Sequence, residues 1–187
     1  GKAVEVTTAS TAAHFSAILT AATANGAAGT VAGAVADAGS ALTDVTFPNA
    51  SSITATISNA NDLTSVTLDS DVTHIDLNNV ANVLLDINDL TNRTITANGG
   101  SYKVKDTATN LAAADEALLS NQTIVINDSS TAATTTELNS IQTKMVSNGG
   151  NGSVTYTKLT GSASSLDTNK ADIVNGVAVT IDETGNN

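Results

Sequence analysis

The stretches Thr107-Ala-Thr-Asn-Leu111, Thr134-Thr-Thr-Glu-Leu138 and Ser162-Ala-Ser-Ser-Leu166 share one pattern, in which a hydroxyl residue stands four positions before a leucine. The three leucines lie 27 and 28 residues apart. A nearly constant period of this length is typical of stacked repeats, in which each unit buries its apolar face against its neighbours. The pattern therefore predicts a scaffold built from repeated units.

Each unit is predicted to run from a strand through a polar cap and a short helix to an Asn- or Gly-containing turn. We predict helices near 108–119 and 164–174, and a capping box in which Thr134 is followed three residues on by Glu137. A helical stripe follows that box at Leu138, Ile141 and Met145.

An earlier copy of the unit is predicted at the start of the chain. Residues 3–8 alternate like a strand, and Ser10 or Thr11 can cap a helix over 11–24. Residues 31–41 fit either a helix or an irregular segment, because four glycines between 26 and 39 weaken a helix there.

The middle of the chain has a different sequence pattern. Short stretches of alternating apolar residues recur about every ten residues, and turn-forming residues lie between them. Examples are Val66/Leu68, Ile75/Leu77 and Leu85/Ile87. We predict a mainly β protein with short helices, folded as one continuous right-handed parallel β-solenoid. Its parts are a strand–helix segment over 1–41, all-β coils over 42–104 and strand–helix repeats over 105–187.

The composition agrees with many short strands and turns. Thr occurs 30 times and Asn 20 times, and the chain has only two Phe and two Tyr. The net charge of −11 makes nucleic acid and anionic membranes poor partners. No run approaches the ~20 apolar residues of a membrane helix, so we expect no membrane insertion. Together with the absence of cysteine, this acidic composition favours an extracellular or cell-surface location.

Five aspartates of the middle region are the candidate metal ligands. They are Asp69, Asp71, Asp76, Asp86 and Asp89. In stacked units, acids from adjacent turns can converge and bind Ca²⁺ through oxygen ligands. Calcium is the only cofactor that we predict, and turn formation is the alternative role for these side chains.

Catalysis is not expected. The two histidines, His14 and His74, have no predictable partner for a nucleophilic triad. A carboxylate pair could cleave glycosides, but the chain offers a single arginine, Arg93, and few aromatic rings to hold a sugar acid.

Three segments carry a resemblance to known proteins. They begin at Val104-Lys-Asp-Thr-Ala-Thr-Asn-Leu, Thr134-Thr-Thr-Glu-Leu-Asn-Ser-Ile and Leu159-Thr-Gly-Ser-Ala-Ser-Ser-Leu. They resemble repeats of very large secreted surface and adhesin-like proteins of marine bacteria, especially cyanobacteria, and similar phrases in phage tail fibres. The resemblance covers roughly 100–187 and extends to a second stretch over 3–24, and it implies an extracellular structural or adhesive role, often with calcium.

We therefore expect a non-enzymatic surface-layer, filament or adhesin-stalk scaffold. The expected partners are copies of the chain itself or adjacent repeats, with surface glycans as a further candidate. A phage tail-fibre segment is the first alternative, and a β-helical polysaccharide-binding or -cleaving module is the second.

Overall fold

The protein is described from a computed structural model, which covers residues 3–24, 30–43, 47, 50–60, 63 and 66–182. The described residues form twelve strands, β1 (Ala3–Ser10), β2 (Thr30–Ala38), β3 (Ala50–Thr56), β4 (His74–Asp76), β5 (Val83–Leu85), β6 (Thr94–Thr96), β7 (Tyr102–Asp106), β8 (Thr123–Ile126), β9 (Ala133–Thr134), β10 (Ser153–Thr155), β11 (Lys158–Gly161) and β12 (Ala178–Ile181). They also form six α-helices, α1 (Ala12–Thr23), α2 (Ile87–Asn92), α3 (Ala108–Ala113), α4 (Glu116–Leu119), α5 (Thr135–Val146) and α6 (Ala163–Thr168).

The prediction of a right-handed parallel β-solenoid is wrong. Helices and strands each take up about a third of the described residues, and the strands form three parallel sheets, so the protein is a small α/β fold. The all-β region expected over 42–104 contains α2, which takes in Ile87. Val66 and Leu68 lie outside any strand. Apolar alternation marks which side chains turn inward, but turns and short helices can satisfy it as well as strands.

The chain divides into two compact units. Unit 1 comprises residues 1–84 and 92–102, and unit 2 comprises residues 85–91 and 103–187. Strand β5 and helix α2 run across the boundary in sequence.

Unit 1 is built on a parallel sheet in the order β1-β2-β3-β4-β6. Helix α1 lies between β1 and β2 in the chain, which is the usual way to connect parallel neighbours. In β3, β4 and β6, Ala55 is aligned with Ile75 and Ile75 with Ile95. Ala55 and Ile75 are completely buried, so this row belongs to the core of the unit.

Strand β2 replaces the helix or irregular segment expected over 31–41. Gly33 pairs with Val6 of β1 and has a φ of +144°, which L side chains rarely adopt. A Cβ atom at Gly33 would lie 2.6 Å from the Val6 carbonyl oxygen. A glycine that weakens a helix is thus required here, because it lets two strands approach closely.

Unit 2 contains a sheet in which β8 lies between β7 and β10, and a second sheet in the order β12-β11-β9. The pairing is parallel throughout these strands. In the second sheet Leu159 of β11 is aligned with Ala133 on one side and with Val179 on the other. Leu159 is completely buried, which shows how a central strand is covered from both sides.

Four helices begin with the same local arrangement, which confirms the pattern found in the sequence. A hydroxyl side chain before the helix accepts a hydrogen bond from the backbone N–H three residues on, at Thr11, Thr107, Thr134 and Ser162. The residue after that donor is buried in each case, and these residues are Phe15, Leu111, Leu138 and Leu166. The repeated motif is therefore a helix cap joined to a core residue.

Two helices differ from their predicted lengths. The helix expected over 108–119 is divided into α3 and α4, because Asp115 accepts a hydrogen bond from the Ala117 N–H and begins a new helix. The helix expected over 164–174 ends at Thr168 and is followed by a 3-10 turn over Lys170–Asp172. Among the described residues, no helix is long and apolar enough to cross a membrane.

Candidate functional site

The best-organised polar groups of the protein lie at the ends of parallel strands. In unit 1, Asp37 stands near the end of β2, and its Oδ2 accepts a hydrogen bond of 3.0 Å from the Ala12 N–H. Ala12 is the first residue of α1, the helix that follows the neighbouring strand. The other oxygen, Oδ1, accepts a hydrogen bond of 2.9 Å from the Ala38 N–H. The carboxylate thus caps a helix start, where an anion is favoured by the helix dipole.

The same arrangement occurs again in unit 2. Asp106 ends β7, and its Oδ2 accepts a hydrogen bond of 3.2 Å from the N–H of Ile87, the first residue of α2. Its Oδ1 accepts a hydrogen bond of 2.7 Å from the Thr107 N–H. One carboxylate oxygen therefore holds the local turn. The other holds the start of a helix 19 residues earlier, as Asp37 does for a helix start 25 residues earlier.

Asp128 is the most deeply placed of these carboxylates. Only 6% of its surface is exposed. Its Oδ1 accepts a hydrogen bond of 2.8 Å from the Thr157 hydroxyl, and its Oδ2 accepts from the N–H groups of Thr157 and Lys158. Burial by itself raises the pKa of Asp128, but the hydrogen bonds from Thr157, Lys158 and its own N–H outweigh it, so the pKa is lowered. Asp128 therefore stays ionised and fixes the entry into β11.

Glu137 joins two repeats through the predicted capping box, which the structure confirms. Its Oε2 accepts hydrogen bonds of 2.9 Å from the Thr134 N–H and the Thr134 hydroxyl. Its Oε1 accepts a hydrogen bond of 2.7 Å from the hydroxyl of Thr109, in the preceding repeat. Burial acts to raise the pKa of Glu137, but the bonds from Thr134 and Thr109 lower it overall.

Side chains of α5 extend this connection to the following repeat. The hydrogen-bonded pairs, each separated by 30 residues, are Thr135–Ser165, Asn139–Asn169 and Gln142–Asp172. On the other side, Lys144 Nζ donates to the carbonyl oxygens of Ala112 and Ala114, at 2.5 and 2.7 Å. We call these bonds, together with the Thr109–Glu137 bond, the inter-repeat bonds. They give polar side chains of α5 partners in both neighbouring repeats.

Three of the predicted calcium ligands lie in unit 1. Asp69 Oδ1 accepts a hydrogen bond of 2.9 Å from the Asp71 N–H, which closes a local turn. Asp76 Oδ1 accepts hydrogen bonds of 2.9 Å from the Asn78 N–H and from Asn98 Nδ2. The oxygens of Asp69 and Asp76 thus hold turns together.

The other two predicted ligands, Asp86 and Asp89, lie in unit 2 at the start of α2. Asp86 Oδ1 accepts a hydrogen bond of 2.7 Å from the Asp89 N–H, and the Asp86 N–H donates to Asp89 Oδ2 at 3.4 Å. This reciprocal pair resembles a capping box, with aspartate at both positions. Within the described ranges, no group of three or more His, Cys, Asp or Glu side chains is placed to hold a metal ion.

Calcium binding by these five aspartates stays a prediction. If Ca²⁺ binds the folded chain at them, about 1 mM Ca²⁺ should raise the melting temperature, because a ligand of the native state stabilises that state. Thermal melting followed by circular dichroism, with Mg²⁺ as the control, measures the shift. An unchanged melting temperature would contradict the prediction, and a shift that Asp76→Asn abolishes would support it.

The histidines are placed for local contacts. His74 Nδ1 lies 2.8 Å from the hydroxyl oxygen of its neighbour Thr73. His14 is exposed on α1, and its backbone N–H donates to the capping hydroxyl of Thr11. The Thr73–His74 contact joins a hydroxyl to an imidazole, but among the described residues no third side chain orients the His74 ring as in a catalytic triad.

Unit 1 has an open recess of about 540 Å³. It is lined by Ser40, Thr43, Val66, Thr67, Leu68, Asp69 and Ser70. The one ionisable side chain in this lining, Asp69, already accepts a hydrogen bond from the Asp71 N–H. We assign no ligand to this recess.

The carboxylates that matter most for the architecture were not among the predicted site residues. Asp37, Asp106 and Asp128 each lie within two residues of the end of a strand. Their position was the available signal, because the carboxyl ends of parallel strands meet at one sheet edge, where helix starts also lie. The predicted metal ligands were instead all aspartates of the middle region.

Comparison of the chain with protein-family models, with curated proteins and with solved structures finds no match. The class of protein is therefore defined by the fold alone, a small α/β fold of parallel strands joined through short capped helices.

Proposed function

We propose that this chain is a non-enzymatic structural scaffold that works outside the cell, at the surface of the cell that makes it. In this role the repeats hold a fixed spacing, and the polar side chains serve mainly to connect one repeat to the next. The proposal is supported by the hydrogen bonds that polar and ionised side chains make within the fold.

The inter-repeat bonds are the observation that carries the proposal. Thr109, Glu137, Asn139 and Gln142 bond to partners 28 to 30 residues away, close to the 27- and 28-residue spacing of the repeated leucines. The most buried carboxylate, Asp128, holds a structural turn at the same separation. Side chains engaged in this way are fixed by the architecture, and a scaffold needs such regular connections between its repeats.

The net charge and the composition of the chain support a location outside the cell. With 18 acidic and 7 basic residues the chain carries a net charge of −11, which keeps it apart from nucleic acid and anionic membranes. It has no cysteine whose redox state would depend on the compartment. The resemblance to repeats of secreted surface proteins supports the same location.

Labelling of cells tests this proposal. Antibodies raised against the purified chain are expected to label intact cells of the producing organism as strongly as permeabilised cells, and protease treatment of intact cells should remove the signal. An antibody against a cytoplasmic protein serves as the control for cell integrity. Labelling that requires permeabilisation would contradict the proposal.

A further inference from the structure

In the described part of the chain six strands lie at sheet edges, and β1 and β12 are two of them. Among the described residues, β1 pairs only with β2, and β12 pairs only with β11. An edge strand presents unpaired backbone N–H and C=O groups and can add another strand. Soluble proteins often protect such edges with lysine or proline, but β1 and β12 contain neither.

Exposed apolar side chains concentrate at these two edges. Six large apolar side chains are exposed among the described residues. Five of them are in β1, in β12 or shortly before β12, namely Val4, Ile173, Val174, Val179 and Ile181. The aligned neighbours of Val4 and Val179 on the inner strands are covered, since Val31 is 1% exposed and Leu159 is completely buried. Each edge thus carries an apolar row that an added strand would bury.

We propose that a second copy of the chain covers β12 with its own β1, in parallel, with Val4 beside Val179 and Val6 beside Ile181. The two edges have matching patterns, Ala3-Val-Glu-Val6 and Ala178-Val-Thr-Ile181. Because side chains alternate with period two, aligning Val4 with Val179 also brings Val6 beside Ile181, and these are β-branched pairs that suit neighbouring strands.

The proposed register continues the ladders that the chain already forms. In one copy Ala133, Leu159 and Val179 are aligned across β9, β11 and β12, and in the other copy Val4 is aligned with Val31. Docking joins these into one uninterrupted apolar row. This continuity is why the occupant is a second copy of this chain.

The charges permit this contact. The register places Glu5, the single charged residue of β1, beside the uncharged Thr180. The net charge of −11 nevertheless makes two copies repel each other at long range. Salt screens that repulsion, so association should strengthen as ionic strength rises.

The contact uses different surfaces on the two copies, so it produces rings or open filaments. This contact would allow the proposed scaffold to extend from copy to copy. Its biological meaning therefore rests on the proposed function. Association is measured on the purified chain and location on cells, so either proposal can fail alone.

Sedimentation velocity from about 1 to about 100 µM tests the contact. The wild-type chain is expected to gain mass with concentration, more strongly at high salt. Val4→Lys and Val179→Lys should each weaken association at least about tenfold, because either lysine places a charge in the apolar row. An equimolar mixture of these two variants should form a dimer and stop there, since each variant retains one intact edge.

Val146→Lys is the matched control. Val146 is the sixth exposed large apolar residue, 57% exposed, and it lies on α5, away from both edge strands in sequence. This variant should associate like the wild type, and circular dichroism should show all three variants folded. A wild-type chain that stays monomeric throughout, a trimer that Val4→Lys and Val179→Lys leave intact, or equal loss of association in Val146→Lys would overturn the proposal.

Discussion

Replacing Leu138 by alanine is expected to lower the free energy of unfolding of unit 2 by about 2–5 kcal/mol. Leu138 is completely buried in α5, at the core position of the repeated cap motif. The substitution removes apolar contacts and leaves a cavity that the surrounding side chains can fill only in part. A domain has a total stability of about 5–15 kcal/mol, so this single change should remove a large share of it.

Urea unfolding followed by tyrosine fluorescence measures the loss. The chain has no tryptophan, Tyr102 belongs to unit 1 and Tyr156 to unit 2. In a Tyr102→Phe background the tyrosine signal therefore reports on unit 2 alone. The urea midpoint should fall while the slope of the transition stays the same, because the surface exposed on unfolding is nearly unchanged.

Val146→Ala is the matched control for this measurement. It also removes an aliphatic side chain from α5, but Val146 is 57% exposed. Its effect should stay within about 0.5 kcal/mol, as for surface substitutions in general. Similar losses for Leu138→Ala and Val146→Ala would show that the repeated leucine does not anchor the core.

The local part of this architecture could be predicted from sequence. The cap motif is short-range. It consists of a hydroxyl residue, a backbone N–H donor three positions later and a buried residue directly after that donor, and helix geometry accounts for both the hydrogen bond and the burial. This is why the caps at Thr107, Thr134 and Ser162 and the burial of Leu111 and Leu138 are confirmed.

The larger architecture could not be predicted in the same way. Apolar alternation fixes which residues turn inward, but it does not fix whether the backbone between them is strand, turn or helix. Ile87, predicted in a strand, instead begins α2, where its N–H is held by Asp106. That bond depends on a residue 19 positions away, which no local pattern around Ile87 contains.

Gly33 illustrates a second limit. Propensity treats glycine as weakening both helices and strands, and it favoured no definite structure over 31–41. The deciding fact is the close approach of the Val6 carbonyl in β1, which is a tertiary contact. The roles of Asp37 and Asp106 were missed for the same reason, since each acts on a helix that starts 25 and 19 residues earlier, respectively.

Asp128→Asn is expected to destabilise unit 2 by about 2–3 kcal/mol at neutral pH. The buried carboxylate accepts three hydrogen bonds, from the Thr157 N–H, the Thr157 hydroxyl and the Lys158 N–H. An amide has one acceptor oxygen, and its NH₂ group would face a donor. At least one of these three donors then loses its charged acceptor, and a hydrogen bond to a charged group contributes about 1.5–3 kcal/mol.

The loss should depend on pH with a definite sign. The pKa of Asp128 is lowered in the folded chain from its ordinary value of 3.8, so its contribution to stability is complete well above pH 3.8. It decreases as the pH falls below that value and through the folded pKa, because the carboxylate is then protonated in both states. The difference in stability between wild type and Asp128→Asn should therefore be constant near neutral pH and shrink in acid.

Urea midpoints of both proteins at a series of pH values in the Tyr102→Phe background measure this difference. Glu137, whose pKa is also lowered, is present in both proteins, so its contribution cancels. Asp167→Asn is the control, because the Asp167 side chain is 83% exposed and only pairs at 3.8 Å with Lys170 on the surface. It should change stability by less than about 1 kcal/mol at any pH. A loss in Asp128→Asn that is equally large at acid and neutral pH would mean that the shape of the side chain, and not its charge, fixes the entry into β11.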